Sequence, residues 1–350
     1  MSDVVTAPPS THGGTLLLDV RDLVVQYPVR RGLTAALRRE PRTTVSAVDG
    51  VSLSVRHGEM LALIGESGCG KTSTAQAILR MVDAASGTIE VDGREITHLT
   101  SKELRPVRRT MQMVYQDPYE SLDPRFRVRR AIEEPLVIHG MTGSSEERER
   151  RIVEALERVE LSPADLFIDR YPHELSGGQR QRVAIAASLM LDPKLLLADE
   201  PVSMLDVSVR AGILTLLDRL RRDGDMGIVM ITHDLSTAAH FADRIAVMYL
   251  GRIVEEGPAH EVVRNPQHPY TKALMSVVPK PDPRDRTVPQ ILRGETPNPI
   301  DMPTGCRFHP RCPVAEDRCK VTDPQLHTAR GAQGQAHRAA CVLGIERGER

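Results

Sequence analysis

The residues best suited to chemistry form a glycine-rich stretch directly after an apolar run, Met60 to Ile64. The stretch reads, in chain order, Gly65, Glu66, Ser67, Gly68, Cys69, Gly70, Lys71 and Thr72, followed by Ser73. Glycines allow the backbone to curl so that its N–H groups face an anion, and the following helix adds its positive dipole end. In such a loop Lys71 bridges the β- and γ-phosphates of a nucleotide and Thr72 ligates Mg²⁺. The stretch predicts a P-loop; a glycine-rich turn that binds nothing is the alternative.

Two acidic residues end a second apolar run. Leu195 to Ala198 is typical of a buried strand, and it delivers Asp199 and Glu200 to its C-terminal end. Ligands of open α/β sheets bind at that edge. Asp199 would hold Mg²⁺ through water, and Glu200 would polarise the water that attacks the γ-phosphate. Such a pair can also begin a solvated loop, but the presence of a P-loop favours the catalytic interpretation.

A third segment places a serine and two glycines at the start of a predicted helix. Its residues Ser176, Gly177, Gly178 and Gln179 would offer N–H groups and a positive dipole end to a phosphate. With Leu175 before them, they resemble the signature motif of ATP-binding cassette (ABC) ATPases. In that family the signature serves the nucleotide held by another ATPase domain, so that two ATP molecules lie between two domains. One copy of each motif implies that this chain is half of such a unit.

Further positions match the family one at a time. Tyr27 resembles the aromatic residue that stacks on adenine, although an ordinary strand tyrosine is the alternative. Gln116 resembles the glutamine that contacts Mg²⁺ and the attacking water. Asp206 lies in the loop that touches the opposite nucleotide site, where Met204 replaces the usual alanine. His233 resembles the histidine that hydrogen-bonds the γ-phosphate, so the resemblance implies an intact hydrolytic site.

Three longer segments narrow the resemblance to the ATPases of dipeptide, oligopeptide and nickel importers. They are 116–125, 268–274 and 305–313. The resemblance implies that the chain energises the import of di- or oligopeptides. Related members move nickel, glutathione or sugars, so these cargoes remain alternatives. A soluble ABC mechanoenzyme and a catalytically idle half-subunit are the other two.

The same resemblance implies partners in a membrane. We expect two transmembrane permease subunits, whose coupling helix would enter a groove near Gln116 and Phe126, and a second ABC ATPase subunit, either different or identical. An extracytoplasmic substrate-binding protein would act indirectly. The chain would then lie peripherally on the cytoplasmic face of the membrane. The basic stretch 30–42 could touch lipid or a partner, but a solvated loop explains it equally, and it stays unassigned.

Four cysteines crowd the end of the chain. They are Cys306, Cys312, Cys319 and Cys341. In a reducing compartment such crowding favours a metal over disulfides, although the close Cys-x-x-Cys pairs of common zinc folds are missing. The family extension that these residues resemble holds a [4Fe–4S] cluster, which we therefore expect. Zinc and no metal are the alternatives, and His309 is a further candidate donor.

The elements that must position these motifs alternate between short β-rich runs and helical patterns, which predicts an α/β domain with a largely parallel sheet. We place this ABC-type P-loop ATPase domain at 15–260, with a helical signature subdomain at about 117–175. A flexible tail, 1–14, would precede it. A small, irregular, cysteine-containing extension, 261–350, would follow it.

The composition fits this scheme and excludes other classes. The 350 residues carry 46 Lys and Arg against 47 Asp and Glu, a formal net charge of −1, so nothing favours a polyanion and we expect no nucleic acid partner. No apolar run approaches the roughly 20 residues that span a bilayer. The N-terminus lacks the pattern of a secretory signal.

Overall fold

The computed structural model describes residues 15–28, 44–277, 290–292, 294–328 and 337–346. The predicted tail 1–14 and the basic stretch 30–42 lie outside these residues. The strands are, in chain order, β1 (Leu16–Pro28), β2 (Thr44–Arg56), β3 (Met60–Ile64), β4 (Ser86–Val91), β5 (Arg94–Glu95), β6 (Met111–Val114), β7 (Leu195–Asp199), β8 (Gly227–Thr232), β9 (Arg244–Tyr249), β10 (Arg252–Pro258), β11 (His327–Thr328) and β12 (Arg338–Ala339). The α-helices are α1 (Lys71–Ile78), α2 (Ser101–Arg108), α3 (Pro118–Ser121), α4 (Val128–His139), α5 (Ser145–Arg158), α6 (Gly177–Leu189), α7 (Val207–Gly224), α8 (Leu235–Phe241), α9 (Ala259–Arg264), α10 (Pro269–Ser276) and α11 (Val342–Glu346).

The core is an eight-stranded sheet in the order β11-β12-β10-β9-β3-β8-β7-β6. The five strands from β9 to β6 are parallel. Strand β3 is buried along its whole length, and its side chains alternate between two hydrophobic clusters: Met60, Ala62 and Ile64 on one face, Leu61 and Leu63 on the other. A parallel sheet covered on both faces needs such continuous apolar strands, and the prediction of an α/β domain agrees with this architecture.

A second sheet was not predicted. Strands β2, β1, β4 and β5 form a four-stranded antiparallel sheet, in addition to the largely parallel sheet that the sequence predicts. Leu23 pairs with Val51, and register shifts interrupt the β1–β2 ladder at several points. Those irregularities break the strict apolar–polar alternation by which a half-buried strand is recognised in a sequence. The apolar face of this sheet packs in the same cluster as Leu61 and Leu63.

A helical insertion separates β6 from β7. It contains α3, α4 and α5, two short 3-10 turns, and α6. Helix α5 begins after Ser144, whose hydroxyl accepts the Glu147 N–H and satisfies one of the first-turn donors. Its Ile152 and Leu156 are buried in the hydrophobic cluster that also contains Met60, Ala62 and Ile64 of β3. The insertion therefore continues the core of the sheet domain.

The described parts of the C-terminal extension pack against the sheet domain. Strand β12 pairs with the antiparallel strand β10. Phe308 is fully buried, with its ring centroid 5.3 Å from that of Tyr249 and 5.4 Å from that of Tyr270. None of the helices in the described ranges is long and apolar enough to cross a membrane.

Candidate functional site

The P-loop lies between β3 and α1, as the sequence predicts. Gly70 caps α1 with φ of 109°, a conformation that costs other residues free energy, and a Cβ there would lie 2.2 Å from the Ala47 carbonyl oxygen. Lys71 is buried, with only 5% of the residue exposed. Its Nζ donates hydrogen bonds to the carbonyl oxygens of Gly65 (2.8 Å) and Glu66 (2.9 Å). The loop thus holds a buried ammonium group beside a helix N-terminus, which suits a phosphate.

Asp199 and Thr72 come together at the carboxyl edge of the sheet. Burial raises the pKa of Asp199, the Thr72 side chain opposes this by hydrogen-bonding the carboxylate, and Glu200 adds a raising contribution. A hydroxyl and a carboxylate are hard oxygen donors of the kind that Mg²⁺ prefers. The predicted magnesium ligands Thr72 and Asp199 therefore fit the ion chemically.

Glu200 is bracketed by the two other predicted catalytic residues. Gln116 Nε2 donates a hydrogen bond to Glu200 Oε2 at 3.2 Å, and His233 Nδ1 lies 3.2 Å from Glu200 Oε1. Glu200 has a φ of 45°, and its N–H donates to the Ile231 carbonyl at 2.9 Å. His233 is 62% exposed in its side chain, so it is open to a ligand. The structure thus assembles the three groups around one point at the sheet edge.

The other residues predicted to bind the nucleotide are Tyr27 and the remainder of the P-loop. Tyr27 is half-buried and its hydroxyl lies 3.4 Å from Ser73 Oγ, so the predicted adenine-stacking residue reaches the start of α1. Cys69 is buried within the loop, and burial raises the pKa of its thiol, as expected of a packing residue. Ser67 and Gly68 are exposed.

The signature segment forms a separate helix start. Ser176 Oγ accepts the Gln179 N–H at 3.3 Å, while Gln179 Oε1 accepts the Ser176 N–H at 2.9 Å. Gly178 packs so closely on α7 that a Cβ would lie 2.5 Å from Val209 Cγ1. Asp206 immediately precedes α7, so its loop and the signature are neighbours. Within the described ranges, no hydrogen bond or ion pair joins Ser176–Gln179 to the P-loop.

Sequence reasoning missed a set of contacts from the C-terminal extension to the P-loop. Arg311 and Thr296 bind the Glu66 carboxylate, and the Tyr270 hydroxyl accepts the Glu66 N–H. No local motif marks these residues, because the pairing joins positions more than 200 residues apart. Only the folded chain brings them together.

The four C-terminal cysteines lie near one another. The Cys306 N–H donates to the Cys319 carbonyl at 2.9 Å. Burial raises the pKa of Cys306 to about 11, and the thiols of Cys341, Cys319 and Cys312 add to the shift. Within the part of the chain that the structure describes, however, no three His, Cys, Asp or Glu side chains are arranged to hold a metal ion. The predicted cluster therefore remains a prediction without geometric support.

Two family models match the chain. Residues 48–203 match the ABC transporter model, and residues 254–319 match the model of the oligopeptide/dipeptide transporter C-terminal region. The first match contains the P-loop, the signature and the acidic pair. The second contains Tyr270, Thr296 and Arg311, the residues that contact Glu66.

Curated relatives are similar over almost the whole chain. The oligopeptide transport ATP-binding protein OppF of Escherichia coli (strain K12) is 44% identical, over 90% of this chain and 94% of its own length. The oligopeptide transport ATP-binding protein AppF of Bacillus subtilis (strain 168) is 43% identical, over 93% and 97%.

Solved structures with the same fold include ATP-binding cassettes. A dimeric post-hydrolysis state of the cassette MJ0796, bound to ADP and Pi, aligns with a TM-score of 0.60 at 30% identity, covering 70% of this chain and 99% of that one. CbiO1 of Clostridium perfringens, part of the ABC transporter complex cbiONQ, aligns with a TM-score of 0.61 at 28% identity, covering 71% and 91%.

Proposed function

The chain belongs to the ABC transporter family of ATP-hydrolysing subunits, and from that premise we propose that it energises the import of di- and oligopeptides through a membrane complex. The main support for a peptide cargo is the match of residues 254–319 to the oligopeptide/dipeptide transporter C-terminal region. The relatives named above, which carry oligopeptide transport in their names, support it over nearly the full chain.

In the proposed reaction Glu200 is the general base. Its carboxylate orients the attacking water and accepts a proton as the water oxygen bonds to the γ-phosphorus and the bond to the β–γ bridging oxygen breaks. Gln116 and His233, each 3.2 Å from the carboxylate, fix its orientation and the γ-phosphate. Lys71 binds the β- and γ-phosphates. Mg²⁺, held by Thr72, Asp199 and Gln116, would neutralise phosphate charge when bound with the nucleotide.

We propose that hydrolysis requires a second ATPase subunit. In the chain described here the signature Ser176–Gln179 makes no hydrogen bond to the P-loop of its own molecule, and its helix start offers N–H donors to a partner's phosphate. The solved dimer of a related cassette with ADP and Pi supports this arrangement. The partner is either a related ATPase or a second copy. A monomer at high dilution that hydrolysed ATP as fast as the assembled transporter would contradict the proposal.

The membrane partners are proposed to dock near α3 and α4. Tyr119 is largely exposed there, with Arg180 stacked 3.9 Å from its ring centroid, and Phe126 is half-buried beside Arg130. An exposed tyrosine and a half-buried phenylalanine in this insertion suit a short helix of a permease subunit. We propose that the chain lies on the cytoplasmic face of the membrane, with a substrate-binding protein on the other side.

We also propose that Cys306, Cys312, Cys319 and Cys341 hold a [4Fe–4S] cluster, with zinc as the alternative. The proposal rests on the chemistry of four thiols, since bound metal would remove the protons that burial otherwise favours, and not on the geometry, because the described side chains are not arranged to hold a metal ion. Metal analysis of anaerobically purified protein tests this. Iron near four atoms per chain supports the cluster, zinc supports the alternative, and the absence of both contradicts a metal.

The import function is tested in cells that lack this chain. Wild-type chain should restore uptake of a labelled tripeptide, whereas Glu200→Gln should not. Glu157→Gln, which changes an exposed glutamate of α5, is the matched control and should restore uptake. Restoration of nickel or sugar uptake without peptide uptake would contradict the proposed cargo.

A further inference from the structure

The P-loop residue Glu66 is held by the C-terminal extension through its side chain. Arg311 Nη1 donates to Glu66 Oε2 at 2.8 Å and Arg311 Nη2 to Oε1 at 3.2 Å, a two-pronged ion pair. The Thr296 hydroxyl donates to Oε2 at 2.8 Å. Planar bidentate pairs of this kind are the strong class of ion pair. Three donors from the extension therefore converge on one carboxylate of the nucleotide-binding loop.

Glu66 is also held through its backbone. Its N–H donates to the Tyr270 hydroxyl at 2.9 Å, and Tyr270 is fully buried. The carbonyl oxygen of the same residue accepts a hydrogen bond from Lys71 Nζ at 2.9 Å. The N–H of Glu66 is thus fixed by Tyr270, and its carbonyl group is fixed by Lys71.

Arg311 is rigidly supported. Only 9% of its side chain is exposed, and its guanidinium lies 5.9 Å from the centroid of the Tyr249 ring. Tyr249 packs against Tyr270 and Phe308 at centroid distances of 4.7 and 5.3 Å. A guanidinium seated on aromatic rings loses little further freedom when it binds a carboxylate. The aromatic cluster therefore presents Arg311 to the P-loop.

The charge of Glu66 matters because it lies within the field of Lys71. Burial acts to raise the pKa of the Glu66 carboxyl, but the hydrogen bonds from Arg311 and Thr296 and the charges of Arg311 and Lys71 together lower it below its usual value. The carboxylate is consequently ionised next to a loop whose ligand is a polyanion. Without Arg311 its charge would repel the phosphates that Lys71 attracts.

We propose that Arg311, with Thr296 and Tyr270, is a positioning and charge-neutralising device for the P-loop, so that the C-terminal extension sets the affinity for ATP. This rests on the proposed function only in that ATP binds at the P-loop. The ABC transporter match ends at residue 203, so these positioning residues belong to the extension and are an addition to the general cassette.

The test measures the Kd of a fluorescent ATP analogue for the full chain, together with kcat and KM in the transporter complex. Arg311→Met should raise Kd and KM about tenfold, the order expected of one uncompensated carboxylate beside a bound anion, while kcat at saturating ATP stays within about twofold. Glu66→Gln/Arg311→Met should return Kd to about that of Glu66→Gln, because the repelling charge is gone. A structural defect would not be rescued in this way.

Control variants distinguish the proposed role of Arg311 from other causes of a change in ATP affinity. Lys320→Met removes an exposed cation of the same extension and should leave Kd unchanged. Unchanged Kd in Arg311→Met, or no rescue by the double variant, overturns the proposal. If Arg311→Met fails to fold, Arg311→Gln, whose amide can still donate to the carboxylate, is measured in its place: a Kd raised about tenfold supports the proposal, and a Kd within about twofold of wild type refutes it. Lys71→Ala, which should weaken binding at least about tenfold, separates failure of this inference from failure of the P-loop assignment.

Discussion

The Glu200 carboxylate lies 3.2 Å from Nδ1 of His233 because the parallel strands that precede the two residues are in register. Asp199 of β7 is opposite Ile231 of β8, and the Glu200 N–H extends that ladder by one bond to the Ile231 carbonyl. The chain then leaves both strands at the same edge of the sheet. Two motifs that are separate in the sequence thus meet in the candidate catalytic arrangement.

Replacing Glu200 by glutamine tests the general base. The amide keeps the shape and the contact with Gln116 but cannot take a proton, so kcat should fall by about 10²–10⁴-fold while ATP binding persists. Steady-state ATPase rates and nucleotide binding on the assembled transporter measure both quantities. A rate unchanged from that of the Glu157→Gln control would mean that Glu200 is not the base.

Replacing Lys71 by alanine tests phosphate binding. The buried ammonium is satisfied by loop carbonyls, and it is the charged donor available to an incoming phosphate. Its loss should weaken ATP binding at least about tenfold, since one hydrogen bond to a charged group is worth about 1.5–3 kcal/mol. Lys194→Ala, which removes a half-exposed lysine paired with Asp92, should bind ATP normally. Equal affinity in the two variants would refute the role of Lys71.

The motifs could be predicted from the sequence because each acts through local backbone geometry. The P-loop, the acidic pair and the signature are short strings whose glycines, caps and flanking strands carry their own signals. Two other features of the structure have no such local signal in the sequence. Strand β1 pairs with β2 through repeated register shifts, which hide its alternation, and Arg311 pairs with Glu66 across most of the chain. Such pairing depends on tertiary packing, and single-sequence patterns do not report it.

Gly178 offers a prediction about packing. A Cβ at this position would lie 2.5 Å from Val209 Cγ1, so Gly178→Ala should force α6 and α7 apart and cost about 1–3 kcal/mol of stability. Adding Val209→Ala should recover most of the loss of melting temperature. Gly224→Ala is the control, since no atom lies within 4 Å of a Cβ there. An equal melting temperature for Gly178→Ala and wild type would contradict this packing.

A buried carboxylate anchors the start of the extension. Glu255 accepts hydrogen bonds from the N–H groups of Gln267 (2.8 Å) and His268 (2.7 Å), and His337 Nε2 lies 2.7 Å from it. His268 in turn caps α10, because its Nδ1 accepts the Tyr270 N–H at 3.1 Å. The cap requires an unprotonated Nδ1. The same tyrosine holds the P-loop, so protonation at His268 would loosen this end of the site.

Acid should therefore destabilise the protein through His268. Burial lowers the pKa of His268 from 6.5 to about 4, with Lys272 contributing and Glu255 opposing. In the unfolded chain the histidine binds a proton below pH 6.5, whereas in the folded chain it does so only near pH 4. The neutral, capping His268 therefore contributes its full share of the free energy of unfolding above pH 6.5, and that share is lost as the pH falls toward 4. The loss should approach about 3 kcal/mol.

The variant His268→Asn tests this pH dependence. Its side-chain oxygen can cap α10 but does not titrate, so its melting temperature should fall less between pH 6.5 and 4 than that of wild type. His260→Asn, at an exposed site, should retain the wild-type slope; identical slopes in all three proteins would contradict the role of His268.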